Sequence, residues 1–125
     1  MKLSEAEWKV MKAVWNHHPA SVREVLEAAE SAGWAYSTVK TMLARLAGKG
    51  ALKVIKRGSV RLHEPLVSRD QARETALRSL LELAFDGTFG SLVHHALRSG
   101  RLSARDREEL RASLEAEKEA DVESS

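Results

Sequence analysis

Within six residues the chain sets Tyr36, Ser37, Thr38, Lys40 and Thr41. Three hydroxyls, an aromatic ring and a cation at the start of a helix tolerate close approach to bases and phosphates. Ser and Thr hydroxyls bond to either phosphate or base edges, and a lysine neutralises phosphate. The surroundings point the same way. Between Ala35 and Arg61 the chain carries seven basic residues, Lys40, Arg45, Lys49, Lys53, Lys56, Arg57 and Arg61, and no carboxylate. The other 98 residues hold 13 basic side chains against 18 acidic ones, so the positive charge is concentrated. A solvated face without a partner normally mixes both signs. The chemistry these residues suit is contact with double-stranded DNA. Tyr36, Ser37, Thr38, Lys40, Thr41 and Arg45 would serve as a reading helix, and Lys56, Arg57 and Arg61 as phosphate clamps. Ordinary helix capping is the alternative for Ser37 and Thr38.

Positioning them requires a helix up to Ala47 and a hairpin after Ala51. Helix starts are legible ahead of both. Ser4 with Glu7 forms a capping box, and Leu3 and Trp8 stand where a hydrophobic staple closes over it. Trp8, Met11 and Trp15 share one face, and Pro19 stops that helix. Ser21 with Glu24 makes a second box ahead of Val22, Val25, Leu26 and Ala29, and Gly33 is placed to end that helix in the left-handed conformation. The third helix begins near Tyr36, faces inward with Val39, Met42, Leu43 and Leu46, and ends at Gly48 and Gly50. Two helices joined by about four residues around a glycine form a helix-turn-helix pattern. Trp34 in that connection reads as a core or hinge residue. Leu52-Lys53-Val54 and Val60-Arg61-Leu62 alternate apolar and polar about the turn Arg57-Gly58-Ser59, which predicts a wing closed by Pro65. Ile55 breaks the alternation.

Ser68 with Gln71 is a third box. It opens a helix whose apolar residues are Ala76, Leu77, Leu80, Leu81, Leu83, Ala84 and Phe85. At about 100° per residue these span roughly 200° of the helix, twice the stripe of a helix packed on a single core. Asp86-Gly87 breaks it. Thr88 can cap a fifth helix carrying Phe89, Leu92, Val93, Ala96 and Leu97, and Gly100 ends that one. Ser103 caps a sixth with Leu110 and Leu114. So few residues make a poor independent core, and a second copy of the chain would complete it. Leu77, Leu80, Leu81, Ala84, Leu92, Val93 and Leu97 are the expected dimerisation residues. The fold expected is mainly α with a small β-hairpin: an N-terminal winged helix-turn-helix over residues 1–66 and a C-terminal three-helix dimerisation domain over 67–114. Residues 115–125, with five acids against Lys118, read as a disordered acidic tail.

Charge divides along the same line, with 11 basic against 6 acidic residues in 1–66 and 9 against 12 in 67–125. The chain has no cysteine, which removes disulfides and thiolate metal sites. The pairs His17-His18 and His94-His95 lack the spacing that places two ligands on one helix face, so no metal is expected. No glycine-rich phosphate loop, nucleophile elbow or zinc-protease motif is present, so neither catalysis, a cofactor nor a small-molecule substrate is expected. Nothing reads as a secretory segment or a membrane span, and a cytoplasmic location is expected. A winged-helix adaptor that binds protein rather than DNA is the alternative from another class, and the acid-free run argues against it.

The strings Leu3-Ser4-Glu5-Ala6-Glu7-Trp8-Lys9-Val10-Met11, Ser21-Val22-Arg23-Glu24-Val25 and Gly33-Trp34-Ala35-Tyr36-Ser37-Thr38-Val39-Lys40-Thr41 resemble the penicillinase repressor (BlaI/MecI) family. So do Pro65-Leu66-Val67-Ser68-Arg69 and the run from Ser91 to Leu114. The resemblance implies a homodimeric winged-helix repressor acting on a pseudo-palindromic operator with TACA and TGTA half-sites. It also implies a sensor protease encoded nearby as a partner. A copper-responsive branch that binds metal through carboxy-terminal cysteines does not fit a chain without them. Two departures stand out. Family wings often carry aromatic residues near the positions of Arg61 and His63. Members released by proteolysis are cut at an Asn-Phe pair, where His95-Ala96 stands here, so release by that cleavage is not expected.

Overall fold

The computed structural model describes residues 1–124, and it confirms a mainly helical chain with one antiparallel hairpin. In order these are α1 (Glu5–His17), α2 (Val22–Ala28), a 3₁₀ turn (Glu30–Ala32), α3 (Tyr36–Gly48), β1 (Leu52–Arg57), β2 (Val60–Pro65), α4 (Arg69–Ala84), α5 (Phe89–Arg98) and α6 (Ala104–Ser124). The chain divides into two compact units, Met1–Ser79 and Leu80–Ser125. The boundary expected after residue 66 therefore lies further on, within α4. The reason is packing. The indole N–H of Trp15 donates to the Val67 carbonyl at 2.9 Å, Arg69 lies over the Trp15 ring and donates to Asn16, and Ala72 is buried.

The capping boxes at Ser4, Ser21 and Ser68 all form, each hydroxyl accepting from the amide three residues on while that residue's side chain accepts from the serine amide. Ser103 forms a fourth, with Asp106. Thr88 occupies the residue before α5 but does not cap it. Its hydroxyl donates to the Phe85 carbonyl and meets the Ser91 hydroxyl instead. Phe85 falls beyond the end of α4. The α2–α3 connection is longer than expected, because α2 ends at Ala28 and a 3₁₀ turn follows. Gly33, at φ +69°, ends that turn.

The core of the first unit joins Val10, Met11 and Val14 of α1, Val25 of α2 and the α3 stripe Val39, Met42, Leu43 and Leu46, closed by Ala51 and Leu52. Trp34 packs against it, as a core residue should. The hairpin register pairs Leu52 with Pro65, Val54 with His63, Ile55 with Leu62, Lys56 with Arg61 and Arg57 with Val60. Alternation predicted the hairpin but not its inward face. Opposed residues share a face, so Val54 and Leu62 lie on opposite sides, and the buried residue of β2 is His63. Its backbone pairs with Ala20 in both directions, and its Nδ1 lies 2.8 Å from the Ala20 carbonyl, which assigns the ring proton to Nδ1. That bond satisfies a polar ring inside the core.

Residues 115–124, expected to be disordered, continue α6. Their Ala, Glu and Lys residues are strong helix formers, so a composition too polar to build a core still favours a helix. Among the described residues no helix is long and apolar enough to cross a membrane.

Lys49, just past the end of α3, donates to both oxygens of Glu7 at 2.8 Å. Glu7 is only 5% exposed. Burial disfavours its charge, but the bond from Lys49 and those from Ser4 outweigh this and hold its pKa below the ordinary 4.5. A depressed carboxylate pKa contributes stability above the unfolded value that is lost as pH falls through the folded one. Glu7→Gln should destabilise the unit by about 1–2 kcal/mol at pH 7, allowing for the solvent exposure of Lys49. Urea unfolding at falling pH should show the difference shrink once pH drops below about 4.5. A constant difference would overturn this assignment.

Candidate nucleic-acid interface

On α3, burying Val39, Met42, Leu43 and Leu46 turns Ser37, Lys40, Thr41, Ala44 and Arg45 to the opposite face, with Tyr36 and Thr38 on its flanks. All seven are exposed. The residue before α3 is Ala35, and no side chain caps the helix. Among the described residues the Ser37 and Thr38 hydroxyls make no hydrogen bond, which removes the capping alternative. The Thr41 hydroxyl donates to the Ser37 carbonyl at 2.9 Å. Its proton is committed, while its lone pairs remain open to a donor.

Folding sorts the seven cations of the acid-free run. Lys49 is bound to Glu7 and belongs to the scaffold. Lys53 stands opposite Glu64 across the hairpin. Lys40, Arg45, Lys56, Arg57 and Arg61 are exposed and, among the described residues, form no ion pair. Lys56 and Arg61 are directly opposed on the ribbon. Like charges at such a pair are destabilising on their own, and a polyanion would relieve them. They share the ribbon face of buried Leu52 and His63, whereas Arg57 lies on the other face. The expected phosphate clamps thus occupy both faces of the wing.

Between α2, α3 and the wing lies an open groove of about 530 Å³, lined by Ser21, Arg23, Tyr36, Lys40, Ser59 and Arg61 among others. Arg23 was missed in the sequence because it lies outside the acid-free run. Ala44 was missed because it carries no polar group, although helical periodicity alone places it among the outward residues. A methyl there can meet the methyl of thymine.

Of the expected dimerisation residues, Leu77 falls in the first unit and is half-buried. Leu80, Ala84 and Leu97 are exposed, and Leu81, Leu92 and Val93 are half-buried. None of residues 80–122 is buried. A cavity of about 360 Å³ between α5 and α6 is lined by Leu92, Val93, Ala96 and Leu110. His95-Ala96 lies inside α5, with the His95 ring edge-on to Phe85.

Residues 3–116 match the Penicillinase repressor family. The chain belongs to that family. Among penicillinase repressors, that of Bacillus licheniformis is 35% identical over 118 residues, covering 94% of this chain and 92% of its own length. The solved DNA-binding domain of the repressor BlaI is 37% identical over 57% of this chain and 93% of its own, with a TM-score of 0.50. Monomeric Bacillus licheniformis BlaI, solved in complex with the blaP half-operator, is 36% identical over 57% of this chain and 88% of its own, also at 0.50. These relatives bear out the resemblance read from the Trp34–Thr41 string and the winged-helix assignment.

Proposed function

We propose that the chain is a transcriptional repressor that binds double-stranded DNA as a homodimer. Its operator is a pseudo-palindrome with TACA- and TGTA-like half-sites, and occupancy excludes polymerase. The observation that carries this reading is the set of five exposed, unpaired cations around the outward face of α3 and the wing. Uncommitted hydroxyls at Ser37 and Thr38 stand among them. The half-operator complex of BlaI supports DNA as the partner. The uncovered apolar residues of α4 and α5 support a second copy. Helix α3 enters the major groove, the wing grips flanking phosphates, and the dimer sets the two readers one or more helical turns apart.

The division of labour is testable by binding titrations on a duplex with inverted TACA and TGTA half-sites and on a random duplex. Arg57→Ala removes a phosphate contact and should weaken both alike. Thr38→Ala should weaken the operator preferentially, by roughly 5- to 150-fold if a good base contact is lost. Equal losses for both variants on both duplexes would reject this assignment of roles.

A further inference from the structure

Arg23 stands on the exposed side of α2, four residues before Glu27. At that spacing Arg105 pairs with Glu109 and Glu74 with Arg78. Arg23 does not take the equivalent partner. Among the described residues it makes no hydrogen bond or ion pair, and its guanidinium carbon lies 5.9 Å from the centre of the Tyr36 ring. An arginine at this distance is attracted to the ring's electron-rich face. Its N–H donors have no acceptor among the described residues and remain available to a ligand.

The same groove receives Lys40 from α3 and Arg61 from the wing, and no carboxylate lines it. Three cations from three elements therefore converge with nothing of opposite sign among them. Such a cluster repels itself until an anion enters. Phosphate suits it, since a guanidinium fork matches two phosphate oxygens and an aromatic ring holds that fork in place before binding.

We propose that Arg23 is a phosphate-contacting residue, positioned by the Tyr36 ring, and that with Lys40 and Arg61 it receives one strand of the DNA backbone in the groove between α2, α3 and the wing. This rests on the DNA-binding reading above. Arg23 and Tyr36 thus form one device: the ring is half exposed because it supports the arginine as well as facing DNA.

The test is a salt series of anisotropy titrations, using a synthetic duplex with inverted TACA and TGTA half-sites and a random duplex. Arg23→Ala should weaken both, by roughly ten- to a hundredfold, as expected for a lost bond to a charged group. The log–log salt slope should become shallower by about 0.9 for each phosphate contact removed. Arg23→Lys should keep the slope and recover part of the affinity, and Tyr36→Leu should reduce the effect of Arg23→Ala. Replacing phosphates one at a time with neutral methylphosphonate should reveal one position per half-site that matters to the wild type and not to Arg23→Ala. Wild-type affinity and slope for Arg23→Ala, with Arg61→Ala impaired, would overturn the proposal and leave the DNA reading intact. Loss confined to the operator, with an unchanged slope and no such phosphate, would also overturn it. Failure of the wild type to bind either duplex would overturn both.

Discussion

Between 50 and 200 mM salt, operator affinity should fall by about 10³–10⁵, the response of a protein that neutralises roughly 6–10 phosphates. The chain offers Lys40, Arg45, Lys56, Arg57 and Arg61, and Arg23 beside them, without a carboxylate partner among the described residues, so the proposed dimer has enough cations to reach that range. Lys49 should contribute nothing to the slope. Its ammonium is already bound by both oxygens of Glu7, and no counterion need leave it when DNA binds. The same titrations distinguish a specific from a general loss, since both operator and random duplex should follow the steep dependence. A log–log slope shallower than about −3 on the operator would overturn the reading of this basic surface as one that neutralises phosphates.

Leu80→Asp should convert the protein to a monomer and remove most of its operator affinity. Leu80 is 46% exposed in the single chain, and Leu83, Phe89 and Leu97 are exposed with it. If a second copy covers this surface, an aspartate at Leu80 loses its water without gaining a partner, at a cost of several kcal/mol when the interface is dry. Losing the dimer also separates two half-site readers that had bound as one, so the effective concentration of the second is lost. Sedimentation at micromolar concentration reads the assembly directly. Glu82→Ala, on an exposed polar residue of the same helix, is the control and should remain dimeric. A dimeric Leu80→Asp variant would overturn this placement of the interface.

The sequence was most legible where the physics is local. Capping boxes depend on a serine and an acid or amide three residues apart, and those at Ser4, Ser21 and Ser68 formed as expected. The α3 core stripe followed from period alone. Legibility failed where a distant residue decides. Alternation within each strand left the inward face open: register puts Val54 and Leu62 on opposite faces, and only the pairing of His63 with Ala20 reveals the inward one. Thr88 failed as a cap because Ser91 and the Phe85 carbonyl compete for its hydroxyl. In the reading surface, every residue expected to contact DNA is exposed. What composition could not supply was their sorting: Lys49 into the scaffold, Arg23 onto Tyr36, and the wing cations onto two faces.

The bridge between His63 and Ala20 gives the wing a fixed root and a variable tip. A slip of one residue in a hairpin turns every side chain to the other face, so Lys56 and Arg61 would exchange places with Ile55 and Leu62. The bridge and the buried imidazole index the ribbon against the helices and forbid that slip. Beyond this anchor, residues 56–61 contribute nothing to the buried core. Apart from Gly58, whose φ of +64° favours glycine, substitutions at the tip can therefore accumulate across generations without unfolding the protein, and a lineage can retune the charge of the wing while leaving the outward face of α3 unchanged.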